Sequence, residues 1–222
     1  MVQISEDYKI NIDTLTENLL KGRVKKFRFR LPYTHAQVRD MVVASLKAEV
    51  KYRNRVFSEN EFLNNQIEDV AKWLTSQNKV GLLLCGVPGN GKTTMMIAIR
   101  SLINFLDIKD DCNERLGVNL IDAREIARLN KDAYEQFRKV REKPMLAIDD
   151  MGIEPIEVLD YGNVLNPVID LLSYRYNEQL FTIVTTNLSP KQIREKYGAR
   201  IADRFNEMME KIVFDNKSYR SD

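Results

Sequence analysis

The stretch Val80-Gly-Leu-Leu-Leu-Cys-Gly86-Val-Pro-Gly-Asn-Gly91-Lys92-Thr93 decides the fold of this 222-residue chain. It opens with a short apolar run, passes through a glycine-rich loop and leads into a sequence with helical character. An apolar run bounded by turn residues indicates a buried strand. The order of strand, glycine loop and helix is typical of α/β folds.

Four further apolar runs follow, with helical stretches between them. They cover residues 118–122, 145–149, 181–185 and 212–214. Apolar runs without polar alternation are typical of strands that are buried on both faces of a parallel sheet. Asn166 before Pro167 and Ser189 before Pro190 indicate helix starts, each with a capping residue and a proline in the first turn. We therefore predict an α/β fold in which a five-stranded parallel sheet lies between helices.

The glycine-rich loop matches the P-loop pattern, with a strand before it and a helix after it. Glycines let successive backbone N–H groups face phosphate oxygens, and the positive end of the helix attracts the same anions. We expect Lys92 to reach the β- and γ-phosphates of ATP, and the Thr93 hydroxyl to bind Mg²⁺. The alternative, a glycine turn that holds a lysine by chance, does not account for the strand and helix around it. The predicted nucleotide-binding residues here are Gly86, Val87, Pro88, Gly89, Asn90, Gly91, Lys92, Thr93 and Thr94.

Two consecutive acids, Asp149 and Asp150, end the run that starts at residue 145. At the carboxyl end of a parallel strand they would lie beside the P-loop, where ligands bind in such sheets. We expect Asp149 to hold Mg²⁺ directly or through water, and Asp150 to orient or polarise the water that attacks ATP. The structural alternative is a solvated acidic turn before Gly152.

Polar residues also follow the run 181–185. Asn187 could reach the γ-phosphate or the attacking water from an adjacent strand end; alternatively it only starts the loop before Ser189.

Arg200 and Arg204 are four residues apart and therefore share one helix face. One of them could stabilise the charge of a transferred phosphoryl group. The alternative is a solvated basic face.

The composition narrows the class of protein. With 34 basic and 32 acidic residues, the net charge of +2 does not indicate a nucleic-acid binder, so any such surface must be local. Cys85 and Cys112 show no paired spacing, and the chain has one histidine, so we expect no Cys/His metal site and a reducing compartment. The first 11 residues lack an apolar signal segment, and the run 80–87 is too short to span a bilayer. We expect a cytoplasmic protein without a membrane partner.

The first 75 residues differ in composition from the rest of the chain. They are rich in Lys, Arg and Glu and have helical character after about Thr34. Ser58 and Glu61 have the spacing of a capping box. We predict a mostly helical, partner-binding extension over residues 1–75 and an ATPase domain over residues 76–222.

Two basic segments are candidates for contact with single-stranded DNA. Residues 21–30 contain six cations and no acid, and Phe27, Phe29 and Leu31 alternate with arginines. This segment could bind phosphates and stack on bases, form an edge strand with one apolar and one basic face, or dock on an acidic partner. The second candidate, residues 124–143, could equally be an exposed amphipathic helix. Its cations include Arg124, Arg128, Lys131, Arg138, Lys139 and Arg141.

On these motifs the chain resembles the AAA+ ATPases of the DnaC-like bacterial helicase loaders, and their close relatives the IstB-type transposition helper ATPases. The resemblance covers roughly residues 60–222. It rests on segments 86–94, 147–152, 185–188 and 200–204, and on the tail 214–221, which contains Ser218-Tyr-Arg220-Ser.

The resemblance implies roles for individual residues. Lys92 and Thr93 would bind phosphate and Mg²⁺, Asp149 would be the magnesium acid and Asn187 the sensor asparagine. Arg204 would be a finger that reaches the nucleotide of a neighbouring subunit. Two further arginines match the family. Arg220 would be a second sensor within its own subunit, and Arg175 lies where the family often carries an arginine.

The chain departs from the wider AAA+ pattern in two ways. Asp150 stands where many members have glutamate, which puts fast hydrolysis in doubt. The sequence ends soon after Arg220, so we expect the helical lid domain to be missing or vestigial.

The predicted function is that of a helicase loader, a DNA replication accessory protein. It would hydrolyse ATP to ADP and phosphate slowly or on stimulation by a partner, self-associate through its nucleotide site, and engage a replicative helicase and single-stranded DNA. The close alternative is a transposition helper ATPase of the IstB type. A small-molecule kinase would need an acceptor pocket and a mobile lid, for which no segment stands out. A scaffold that binds ATP without hydrolysing it is a further alternative.

Overall fold

The computed structural model describes residues 11–21, 28–76, 78–110, 112–160 and 163–219. Within these ranges the first half of the chain forms α1 (Ile12–Lys21), α2 (His35–Tyr52), α3 (Glu61–Thr75), β1 (Gly81–Gly86), α4 (Lys92–Phe105), β2 (Asn119–Asp122), α5 (Ala123–Asp132) and α6 (Tyr134–Arg141). The second half forms β3 (Met145–Met151), β4 (Val158–Asp160), β5 (Asn163–Leu165), α7 (Pro167–Asn177), β6 (Phe181–Thr186), α8 (Pro190–Tyr197), α9 (Ala199–Met208) and β7 (Met209–Phe214).

The main sheet has five parallel strands in the order β2-β3-β6-β1-β7. This confirms the predicted α/β fold and its five strands. Because all five strands run the same way, their carboxyl ends meet at one edge of the sheet. The P-loop follows β1, an interior strand that lies between β6 and β7. β4 and β5 form a separate antiparallel pair, which the sequence did not predict.

Helices cover both faces of the sheet and create two buried clusters. β1 contributes to both, because Leu82 and Leu84 point to one face and Leu83 and Cys85 to the other. The first face is covered by α2, α3 and α4, and the second by α5, α6, α7, α8 and α9. No helix in the described ranges is long and apolar enough to cross a membrane.

Two helices of the N-terminal segment pack against the P-loop helix α4. Buried side chains of α2 and α3 share one cluster with Met96 and Ile99 of α4. Thr34 caps α2 in a capping box with Gln37. The expected capping box of Ser58 is wrong, because α3 starts two residues later, where the Asn60 side chain accepts from the N–H of Leu63 at 2.9 Å. The division of the chain at residue 75 stays a prediction.

The segment before α2 is partly a core element. The ring of Phe29 packs edge-on against Phe181 with centroids 5.3 Å apart, and Leu31 is buried, while the arginines beside them are exposed. The expected alternation is therefore present, but residues 28–31 do not form a strand. Phe29 is thus unavailable for stacking on bases. Residues 22–27, with Phe27, lie outside the described residues.

Arg175, at the end of α7, is completely buried. Its Nε donates to Thr182 Oγ1 at 2.9 Å, and its terminal nitrogens donate to the carbonyls of Arg141, Lys143 and Phe181 at 2.6–2.9 Å. These acceptors lie at the end of α6, just before β3, and at the amino end of β6. Burial lowers the pKa of Arg175 to about 9, yet the guanidinium remains charged at neutral pH. Arg175 therefore stabilises the amino-terminal end of the sheet, opposite the P-loop.

Candidate functional site

The P-loop turns sharply between β1 and α4. Three of its glycines have positive φ angles: 145° at Gly86, 86° at Gly89 and 99° at Gly91. An added Cβ at Gly86 would lie 2.0 Å from the carbonyl oxygen of Phe214, so β7 also requires a glycine there. The first turn of α4 then presents its unpaired N–H groups to the loop, which creates a site for anions.

Lys92 lies inside this loop and is 5% exposed. Its ammonium group donates to the carbonyl oxygens of Gly86 at 2.8 Å and Val87 at 2.7 Å, and to Asn90 Oδ1 at 3.0 Å. These bonds hold the ammonium group at the centre of the loop.

Asp149 connects three elements at the carboxyl edge of the sheet. Its Oδ1 accepts from Thr93 Oγ1 at 3.0 Å and from Thr185 Oγ1 at 2.5 Å. The hydroxyl and carboxylate oxygens of the Thr93–Asp149 pair are hard ligands of the kind that Mg²⁺ prefers. Their direct contact therefore fits the expected magnesium ligands.

Asp150 reaches the same side of the sheet as Asp149, although consecutive side chains of a regular strand point to opposite faces. A bulge explains this, because the β3–β6 register shifts between Ile148 and Met151, and Asp150 has a φ of 53°. The N–H of Asp150 donates to Thr185 Oγ1 at 2.8 Å. Burial, assisted by the charge of Asp149, raises the pKa of the Asp150 carboxyl group.

A polar cavity of about 500 Å³ lies between the P-loop and Asp150. It is lined by P-loop residues 88–94, by Asp150 and by Asn187, which the sequence predicted. It is also lined by Tyr219 of the tail motif, and by Arg53 and Arg55, which the sequence did not predict.

A second cavity of about 500 Å³ adjoins the first and is mainly apolar. Its apolar walls include Leu46, Val50 and Phe57 from the N-terminal helices and the segment between them, Met95 from α4 and Phe214 from β7. Arg53, Arg55 and Tyr219 line both cavities and so mark the boundary between them. A polar compartment beside an apolar one can accept a molecule with a charged end and a flat ring.

The two unpredicted arginines follow α2 in a tight helix-ending turn. Asn54 has a φ of 56°, and its N–H donates to the carbonyl of Lys51 at 2.9 Å. The N–H of Arg55 donates to the carbonyl of Val50 at 3.0 Å, which completes a Schellman motif. Asparagine after a helix is a sequence signal for such a turn. The turn faces the P-loop because α2 packs against α4. This packing could not be predicted from the local sequence.

The C-terminal segment is tied to the P-loop. The N–H of Tyr219 donates to the carbonyl of Gly89 at 2.9 Å, and Asn216 Nδ2 donates to the carbonyl of Asn90 at 3.3 Å. Asn90 Nδ2 in turn donates to the carbonyl of Phe214. These contacts bring the tail beside the cavity. Arg220, the expected second sensor, lies outside the described residues.

The two arginines of α9 are set apart from these groups. Arg200 is exposed, and the Arg204 guanidinium lies 4.8 Å from the ring centroid of Tyr176. The hydroxyl of Tyr176 donates to Glu207 at 2.5 Å. Among the described residues, neither arginine lines the polar cavity of its own chain.

The basic stretch 124–143 consists of two helices, α5 and α6, rather than one. Four of its arginines have carboxylate partners nearby: Arg124 with Asp122 at 3.0 Å, Arg128 with Glu125 at 2.5 Å, Arg138 with Glu135 at 3.1 Å and Arg141 with Asp170 at 3.4 Å. Much of its positive charge is therefore locally neutralised, which favours the interpretation as an exposed amphipathic surface over that of a DNA-binding surface.

Comparison with known proteins places this geometry in context. No protein-family model matches the chain. The large subunit of replication factor C from Pyrococcus horikoshii is 27% identical over 157 residues, which are 66% of this chain and 30% of that protein. The chain thus matches less than a third of the length of this curated relative.

Three solved structures share the fold. The DnaC helicase loader is 22% identical with a TM-score of 0.56, covering 72% of this chain and 94% of its own. DnaI is 22% identical with a TM-score of 0.57, covering 81% and 92%. AMPPCP-bound DnaA from Aquifex aeolicus is 18% identical with a TM-score of 0.51, covering 73% and 50%. The resemblance to DnaC-like AAA+ proteins is therefore confirmed at the level of the fold.

Proposed function

We propose that this chain is an AAA+ ATPase that acts in DNA replication as a helicase loader. The observation that carries the proposal is the convergence of the P-loop, the Thr93–Asp149 pair, Asp150 and Asn187 around one cavity. The fold, shared with the DnaC helicase loader and with DnaI, supports the biological role. The matches described above favour this function over that of an IstB-type transposition helper.

ATP is the ligand that suits the two adjoining cavities. Its triphosphate carries several negative charges, which Lys92 and the N–H groups of the P-loop can bind. Its base is flat and largely apolar, and the cavity beside Phe57 and Phe214 can enclose such a ring. That the related fold of DnaA holds AMPPCP, an ATP analogue, agrees with this assignment.

Thr93 and Asp149 would hold Mg²⁺ beside the phosphates of ATP. The ion, when bound, would neutralise part of the phosphate charge. The protein groups around it have separate tasks. Asp150 would orient the attacking water, and Asn187 would hold either that water or the γ-phosphate. The carboxylate of Asp150 reaches less far than that of a glutamate, so we infer that hydrolysis is slow unless a partner stimulates it.

The position of Arg204 supports self-association. Because Arg204 does not line the cavity of its own chain, it can serve phosphoryl transfer only at the site of another subunit. ATP at the interface would then favour the assembled state, and hydrolysis would release it.

A mixing experiment tests this arrangement. Lys92→Ala and Arg204→Ala are each expected to lose most of the ATPase activity, Lys92→Ala by loss of nucleotide binding and Arg204→Ala with nucleotide binding retained. Mixed together, the two inactive proteins should recover part of the activity, because some interfaces combine an intact Lys92 with an intact Arg204. Lys191→Ala, an exposed change on the neighbouring α8, is the matched control. Full activity of Arg204→Ala, or no recovery on mixing, would contradict the shared site.

A pull-down with ATP and Mg²⁺ tests the partner. Recovery of a hexameric replicative helicase by the wild-type chain, and its loss with Lys92→Ala, is the expected result. Recovery of a transposase would transfer the same ATPase to the transposition-helper function. Binding of single-stranded DNA is tested by anisotropy of a labelled oligonucleotide, and it should weaken steeply as salt rises.

A further inference from the structure

The loop that follows the acid pair contains a buried carboxylate, Glu154, whose side chain is 0% exposed. One carboxylate oxygen accepts from the N–H of Gly152 at 2.8 Å, and the other accepts from the hydroxyl of Tyr197. Burial and the bond to Glu154 raise the pKa of the Tyr197 phenol, so this hydroxyl remains a donor. Tyr197 is the last residue of α8, so Glu154 connects the loop after β3 to the end of that helix.

Lys196 strengthens the same connection. Its ammonium group donates to the carbonyls of Gly152 at 2.6 Å and Glu154 at 2.7 Å, and lies 3.7 Å from the Glu154 carboxylate. A buried carboxylate is stable only when it is paired and hydrogen-bonded, and these contacts meet that requirement. The last turn of α8 therefore holds both the side chain and the backbone of the loop.

The loop also contacts the candidate catalytic groups. The N–H of Ile153 donates to the carbonyl of Asp150 at 3.3 Å, so the loop begins as a tight turn on Asp150 itself. A Cβ added to Gly152 would lie 2.8 Å from the side chain of Leu188, the residue after Asn187. A shift of Asp150 or Asn187 would thus move the backbone that Glu154 holds.

On its other side, the connection leads to Arg204. Helix α9 starts directly after Gly198, and side chains of α8 and α9, among them Tyr197 and Phe205, share one buried cluster. Arg194 of α8 also pairs with Asp203 of α9 at 2.7 Å. The two helices are therefore packed as one unit, and a displacement at the end of α8 reaches α9.

We propose that Glu154 is a positioning residue that couples Asp150 and Asn187 to α9, so that the nucleotide bound by one subunit sets the position of its Arg204 at the neighbouring site. This inference rests on the proposed function and deepens it. It gives the buried Glu154–Tyr197–Lys196 cluster a regulatory role between two nucleotide sites.

Hydrogen exchange on the full chain tests the coupling. In the wild type, ATP with Mg²⁺ should slow exchange both in P-loop peptides and in peptides from residues 190–208. In Glu154→Gln the P-loop response should remain, and the response of residues 190–208 should fall by at least half. Tyr197→Phe, which removes only the hydroxyl, should show the same loss. Glu157→Gln, an exposed change in the same loop, is the matched control and should behave as the wild type.

The outcomes separate this inference from the proposed function. Absence of P-loop protection in the wild type would contradict ATP binding itself. P-loop protection without any response in residues 190–208, or an unchanged response in Glu154→Gln and Tyr197→Phe, would overturn the coupling alone.

Kinetics distinguish coupling from a merely structural role. We expect Glu154→Gln to lower kcat about tenfold with little change in KM, and to have no further effect when Arg204 is already alanine. Additive losses in the double variant would show that Glu154 acts independently of Arg204 and would refute the proposal.

Discussion

Replacement of Arg175 by methionine tests how much this buried arginine stabilises the amino-terminal end of the sheet. The pKa lowered from 12.5 to about 9 corresponds to roughly 5 kcal/mol against the buried charge. Its four hydrogen bonds, each worth about 1.5–3 kcal/mol for a charged donor, hold the guanidinium in place despite that cost. Methionine fills much of the space but leaves the buried acceptors without this donor. We therefore expect Arg175→Met to lower the free energy of unfolding by about 3–5 kcal/mol.

Thermal and urea unfolding of the nucleotide-free chain measure this effect. For a chain of this size the loss corresponds to a Tm lower by roughly 10 °C. Arg175→Lys should be no more stable than Arg175→Met, because lysine keeps the buried charge but lacks the planar fork of donors. Arg30→Met, on the exposed surface, should change stability by less than about 0.5 kcal/mol. A loss below 1 kcal/mol in Arg175→Met, or rescue by lysine, would refute this account.

Three further changes test the site and its surroundings. Arg55→Ala should weaken ATP and ADP binding by the same factor, about tenfold, because Arg55 lies between the polar and apolar cavities. Titration with a fluorescent nucleotide measures both affinities, and a loss confined to ATP would contradict this prediction. Asp150→Glu should cost about 1–2 kcal/mol in thermal unfolding, since its φ of 53° suits Asp or Asn, whereas Asp150→Asn should unfold near the wild-type temperature. Gly198→Ala should destabilise by about 1–3 kcal/mol, because a φ of 85° with a ψ of 163° is nearly restricted to glycine; an unchanged Tm would exclude that strain.

The fold was largely predictable because its strongest signals are local. The strands β1, β3 and β6 are apolar runs that are buried almost throughout, and burial on both faces leaves such a run little choice of structure. The P-loop and the acid pair could be placed at one edge, since parallel strands bring their carboxyl ends together. The roles of these residues in binding and catalysis stay predictions.

Other features depend on tertiary structure and could not be predicted. The bulge at Asp150 arises from the register between β3 and β6, which a single strand does not specify. The role of Arg175 depends on carbonyls more than 30 residues away in sequence as well as on near ones. Ser58 had the right spacing for a cap, yet Asn60, whose side chain accepts from the N–H of Leu63, is the residue that caps α3. Arg53 and Arg55 join the site only through the packing of α2.

The turn after α2 has a consequence for how such proteins can diversify. The segment that we expect to choose the partner also contributes Arg53, Arg55 and Phe57 to the walls of the two cavities. A chimera that exchanges the first 75 residues would therefore exchange part of the proposed nucleotide pocket as well. Under the proposed function, an exchange of this segment that changes the partner should also change the affinity for nucleotide.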